Sequence, residues 1–143
     1  MASRRKGRIL AFQALYAWDI SGTLPSGSLS MGNLSSDKSP EDPFPDFTLL
    51  LITGALENIK AIDTMIKKHL ENWDFSRLNK VDLAILRMST YALMYQSETA
   101  PSIVIDEAIS ISRDYGTDDS YRFINGVLDA IRKTIEQGKE KND

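Results

Sequence analysis

Leu51, Ala55, Ile59, Ile62, Ile66 and Leu70 follow one another at spacings of four, four, three, four and four. That rhythm places all six on one face of an α-helix and excludes a strand, in which successive side chains change face. It returns in Leu78, Val81, Ile85, Met88, Ala92 and Tyr95, then in Val104, Ala108, Ile111 and Tyr115, and finally in Ile124, Leu128, Ile131 and Ile135. No segment shows sustained strand-like alternation, so the fold class is all-α. Near the N-terminus Ile9, Phe12, Tyr16 and Ile20 recur at three and four, and Leu15 and Trp18 widen the stripe. This first helix is expected to be buried nearly all round.

Breakers divide the helical runs. From Ser21 to Pro45 the composition turns to Gly, Ser, Pro and acids, and Pro25, Pro40, Pro43 and Pro45 prevent a continuous helix. A flexible loop over 21–45, inserted between the first and second helices, is the expectation. Asp46 is placed to cap a long helix running through Leu70. Asn72-Trp73-Asp74 interrupts the pattern, and Pro101 blocks continuation of the next helix. Gly116 suits the left-handed conformation past a helix end, and Asp118 or Asp119 is placed to cap the last helix. With 143 residues, 42% of them hydrophobic, the chain can enclose one core, so residues 1–143 read as one domain.

Composition removes several functions. Without cysteine there are no disulfides, thiolate nucleophiles or cysteine-ligated zinc. A net charge of −3 and a pI near 5.2 exclude a broadly basic nucleic-acid binder, so any such site must be local. No apolar run reaches the roughly 18 residues of a membrane span. Cations precede Ile9-Leu10-Ala11-Phe12 as in a secretory signal, but Gln13 interrupts the run and no small-residue cleavage site follows. A cytoplasmic protein is expected.

Two clusters carry the functional signal. Arg4, Arg5, Lys6 and Arg8 open a helix, where the macrodipole already supplies positive charge and cations are unfavourable. Such breaches of local preference concentrate at functional sites, and this one makes a seat for phosphate. A solvated tail or a membrane-surface helix are the alternatives, although the cations are confined to the first turn instead of lining a polar face. Four phosphate contacts to single-stranded RNA would give a salt slope of roughly −3. The second cluster is Tyr121-Arg122-Phe123, just past Asp118-Asp119-Ser120. At least one ring must point away from the stripe of Ile124 and Leu128, and a ring on a helix rim can stack a base for about 1–3 kcal/mol. Ser120, Arg122 and Asn125 can add hydrogen bonds. The alternative places Tyr121 and Phe123 in the core or in a dimer contact.

Enzyme chemistry finds little support. His69, the only histidine, lies among Lys67 and Lys68 at a helix end, where terminal charge accounts for it. Gly22, Gly27 and Gly32 match no phosphate-cradling pattern, and Asp106-Glu107 and Asp118-Asp119 read as caps or surface. No catalytic residue, metal ligand or cofactor is assigned.

Three blocks nevertheless carry a resemblance. Arg4-Arg5-Lys6-Gly7-Arg8 is followed by Gln13-Ala14-Leu15-Tyr16, Val81-Asp82-Leu83-Ala84-Ile85-Leu86-Arg87 forms the second block, and Val104-Ile105-Asp106-Glu107-Ala108 begins the third. That third block continues through Tyr115-Gly116-Thr117-Asp118-Asp119-Ser120 and Phe123-Ile124-Asn125-Gly126-Val127-Leu128. Together they resemble the NusB family of bacterial transcription antitermination factors, over most of the chain outside 21–45. The resemblance implies two packed helical subdomains, with an arginine-rich helix bordering an RNA surface. It implies binding to boxA-type single-stranded RNA as a heterodimer with the ribosomal protein NusE, and recruitment to the RNA polymerase elongation complex through other Nus factors. Carried over by position, Arg4, Arg5, Lys6, Arg8 and Tyr16 face RNA, with Ser120, Tyr121 and Phe123 nearby, and Asp82 and Arg87 contact NusE. Competing readings are a scaffold that homodimerises when free and an accessory domain of the kind fused to RNA methyltransferases. Gly7 departs from a good helix former at a cost of about 1 kcal/mol, which predicts an arm ordered by RNA. The acidic loop adds negative charge near that surface.

Overall fold

The computed structural model describes residues 4–23, 46–71 and 73–142, with side chains described to Gly138. Among them are six α-helices: α1 (Arg4–Ser21), α2 (Asp46–Glu57), α3 (Ile59–Lys68), α4 (Lys80–Tyr95), α5 (Pro101–Tyr115) and α6 (Ser120–Asn142). A 3-10 turn, Phe75–Arg77, precedes α4. Of the loop expected over 21–45, Ser21 completes α1 and Gly22 leaves it at φ 81°, its N–H bonded to Trp18 O at 2.7 Å. The remainder of that loop, 24–45, lies outside the described residues, as does Asn72.

α4 is the axis of the molecule. It packs against each of the other five helices, with α1, α2 and α3 on one part of its surface and α5 and α6 on another. Every residue from Asp82 to Ala92 is consequently buried. Asn79 starts α4, its Oδ1 accepting from Val81 N at 2.8 Å and Asp82 N at 3.2 Å. Just upstream, Asp74 Oδ1 accepts from Ser76 N and Oγ, turning the chain into the 3-10 segment. Pro101 opens α5 at a position where its missing N–H has no helical partner to lose. One buried cluster draws on all six helices, with Leu15, Ile52, Ile62, Ile66, Leu86, Ile111, Ile124 and Ile131 fully enclosed.

Several local expectations are corrected. The helix expected to run unbroken through Leu70 divides at Asn58, because the Gly54 carbonyl accepts from both Asn58 N and Asn58 Nδ2 while Asn58 turns to φ −115°. α1 is not buried all round: Gly7, Ala11, Phe12, Ala14 and Leu15 are enclosed, while Tyr16 and Ile20 remain 38% and 58% exposed. Small residues dominate the buried stripe because they let α1 approach α2 and α4 closely. Gly7 is the extreme case. A Cβ there would lie 2.9 Å from Thr48 Oγ1 and 3.0 Å from the Phe47 ring, and Thr48 Oγ1 donates to Gly7 O at 3.1 Å. The first turns of α1 therefore seat on α2 through Gly7.

Gly116 is also present for space, not for handedness. Its φ is −94°, and a Cβ would meet Ser120 Oγ at 2.6 Å and Ser112 O at 2.8 Å. The turn into α6 is closed by Ser120, whose Oγ accepts from Thr117 N at 2.9 Å, instead of by either aspartate side chain.

Candidate nucleic-acid interface

The cations of α1 arrive at the surface already engaged. Arg4 and Arg8 hold their guanidinium carbons 4.1 and 5.3 Å from the centre of the Phe47 ring, a cation–π arrangement made possible by the close α1–α2 approach. Arg5 donates through Nη1 to Ser110 Oγ at 2.7 Å and through Nη2 to Asp114 Oδ2. Arg8 Nη1 lies 3.4 Å from Glu107 Oε1. Burial pulls the Arg8 guanidinium below its ordinary value, with Glu107 opposing that shift. Lys6 and Arg4 are exposed. The cluster that has no acid in its own sequence thus meets its acids on α5.

α5 also leads to the aromatic turn. Phe12 packs edge-on against Tyr115 at 5.3 Å, and Tyr16 is exposed one helical turn further along α1. Arg113, next to Asp114, sits 4.5 Å from the centre of the half-buried Tyr121 ring, whose hydroxyl accepts from Arg122 Nε at 3.0 Å. The last turn of α5 therefore links the two predicted clusters: Asp114 holds Arg5 and Arg113 holds Tyr121.

Past that turn, Phe123 is half-buried and lies 5.4 Å from Trp73, which is 58% exposed. The two rings flank a cavity of about 530 Å³, also lined by Arg77, Asn79, Asp82 and Ser120. Ser120, assigned to RNA from sequence, is only 1% exposed and serves the turn instead. Asp82 is 7% exposed and its Oδ1 has no partner. Burial raises its pKa, with the Ser120 hydroxyl opposing.

Arg87, expected to meet a partner protein, is an interior residue, 6% exposed. Its Nε and Nη2 each donate at 2.9 Å to Asp63, and its Nη1 lies 3.5 Å from Asp19. This ion cluster joins α1, α3 and α4. His69 is likewise structural: in the neutral ring Nδ1 donates to Met65 O at 2.8 Å, and Nε2 accepts from Thr134 Oγ1 at 2.7 Å.

The reading of the residues alone missed Trp73, Glu107 and Asp114. Trp73 was visible only as part of a helix break, and an exposed tryptophan there is the one signal available. Glu107 and Asp114 lie about a hundred positions from their arginines, beyond any local pattern.

These features define a small all-α binding protein, with a guanidinium cluster and exposed rings gathered along one helix and its following turn. The chain belongs to the NusB family, whose model matches residues 5–133. It is similar to the transcription antitermination protein NusB of Treponema pallidum (strain Nichols), with 51% identity over 131 residues, 92% of this chain and 93% of that protein. The namesake from Borreliella burgdorferi is 41% identical over 138 residues, covering 94% and 96% of the two chains. Among solved structures, T. maritima NusB superimposes with a TM-score of 0.77 at 32% identity, covering 92% of each chain. A crystal structure of antitermination factors NusB and NusE in complex with dsRNA gives 0.75 at 28% identity, covering 92% of this chain and 96% of that one. No helix among the described residues is long and apolar enough to cross a membrane.

Proposed function

We propose that this protein is a transcription antitermination factor that binds boxA-type RNA as a heterodimer with a NusE protein and joins the RNA polymerase elongation complex, without catalysis of its own. Its family, the antitermination relatives and the RNA-bound structural neighbour support that reading. The single geometric observation that carries it is the last turn of α5, where Asp114 and Arg113 draw the Arg5 arm and the Tyr121 ring onto one surface.

On this surface Arg4, Arg5, Lys6 and Arg8 meet phosphates, and Tyr16, Tyr121, Phe123 and Trp73 offer rings for unpaired bases. Stacking of that kind favours a single strand, because bases within an A-form duplex are not free to splay onto a side chain. Ser120 supports the site from within. Of the residues assigned to NusE, Asp82 lies buried against the cavity wall with one carboxylate oxygen unpartnered, whereas Arg87 serves a partner only by fixing α4 in place.

The test is a gel-shift titration of a boxA-type single strand, and of a duplex of the same sequence, with and without NusE. Arg4→Ala combined with Arg5→Ala is expected to weaken single-strand binding in the presence of NusE and to flatten the salt slope by about 1.4, two contacts' worth. The complex with NusE should survive. RNA binding untouched by the double substitution would mean that the surface is wrongly placed.

A further inference from the structure

We propose that Asp114 sets the RNA affinity of this protein by occupying Arg5, an arginine that a phosphate must capture. This inference rests on the assignment of the arm to RNA. A carboxylate and a phosphate compete for the same guanidinium fork, since both are anionic acceptors matched to its paired N–H groups. In the free protein that fork is filled: Arg5 spans Ser110 and Asp114, and Arg8 meets Glu107. Arg5 and Arg8 therefore reach the surface with their charge locally offset.

The two pairs differ in how readily they yield. In the Arg5 pair the side chains are 34% and 59% exposed, so water and salt already compete for it and an incoming phosphate displaces the carboxylate cheaply. In the Arg8 pair they are 11% and 26% exposed, and separating them would strand a partly buried charge. Asp114 is the removable acid and Glu107 the retained one. Ser110, still bonded to Arg5 Nη1, holds the guanidinium in place while its other nitrogen changes partner. The arrangement penalises isolated anions, which must outcompete Asp114 with one contact. It favours a strand whose neighbouring phosphates engage Arg4 and Lys6 together with Arg5.

The experiment uses the full chain with its cognate NusE and a short fluorescent boxA-type single strand, titrated by anisotropy at several salt concentrations. Asp114→Asn should tighten binding about two- to fivefold, the range of an exposed ion pair, and steepen the salt slope by up to about 0.7. Asp114→Glu, which keeps the charge, should stay near wild type. In an Arg5→Ala background the gain from Asp114→Asn should vanish. A gain of equal size in that background would overturn the proposal, since it would report a general change of field. So would the absence of any gain in Asp114→Asn when Arg5→Ala weakens binding. If Arg5→Ala leaves binding unchanged, the RNA assignment of the arm fails first and takes the proposal with it. Asp114 is exposed, so thermal unfolding of its variants should match wild type and exclude misfolding as the cause.

Discussion

The ion pairs of the α1 arm and those beneath α4 use the same residue types and have opposite uses. Arg5 and Asp114 meet in water, so their attraction is screened and exchangeable. Arg87 is bonded twice to Asp63 and faces Asp19 in the interior, where partners cannot be swapped without leaving a charge uncompensated. Arg4 to Arg8 and Arg87 look alike as letters in the chain. Their burial sets the difference: the exposed Arg5–Asp114 pair can exchange partners in solvent, and the buried cluster ties α1, α3 and α4 together.

The sharpest way to break this contrast is Arg87→Ala. It leaves Asp63 largely buried without its cation and Asp19 with Lys80 alone, and the expected loss of folding stability is about 3–5 kcal/mol, read from urea denaturation. A loss as small as that of a surface pair would erase the distinction. The next largest effect concerns binding. Trp73→Ala removes a ring that is mostly in solvent, so unfolding should change little, while single-strand affinity should fall by about 1–3 kcal/mol if a base stacks on the exposed face of Trp73. Unchanged affinity would confine the aromatic contact to Tyr16, Tyr121 and Phe123.

The same contrast explains what could be seen in the chain beforehand. Helical spacing identified the regions of all six helices, because burial of one face leaves a periodic trace whatever the partner is. It could not divide the helix at Asn58, where the decision rests on one side-chain amide competing for the Gly54 carbonyl. It misjudged α1, whose buried stripe sets Gly7, Ala11 and Ala14, small residues that carry little hydrophobic signal but allow close approach, beside Phe12 and Leu15. The arm and the aromatic turn were legible as local oddities. Their connection was not, since Arg5 finds Asp114 and Phe123 finds Trp73 only after folding. Asp82 and Arg87 were assigned to NusE by resemblance alone, and the fold buries both, yet a charged residue in a buried helix announces only that it needs a reason. Whether that reason is a partner or the fold depends on packing.

Asp82 offers the finest test, because two influences on its charge oppose each other. It sits in the first turn of α4, where the helix N-terminus favours a carboxylate by about 0.3–1 kcal/mol. Against this, burial favours the neutral acid and raises the pKa, outweighing the Ser120 hydroxyl. The ionised form is thus a burden on the folded state above the raised folded value. As pH falls through that value toward the ordinary carboxylate range the folded state takes up its proton first, and stability is regained; below the unfolded value both states are protonated and the effect is gone. Asp82→Asn, which keeps the shape and discards the charge, should therefore be more stable than wild type at neutral pH, with an advantage that shrinks as the solution is acidified. Denaturation of both proteins across that window measures the difference directly. A variant less stable than wild type at neutral pH would show that the helix terminus and the Ser120 hydroxyl outweigh burial, and that Asp82 belongs with the structural ions under α4 instead of with the open cavity beside Trp73 and Phe123.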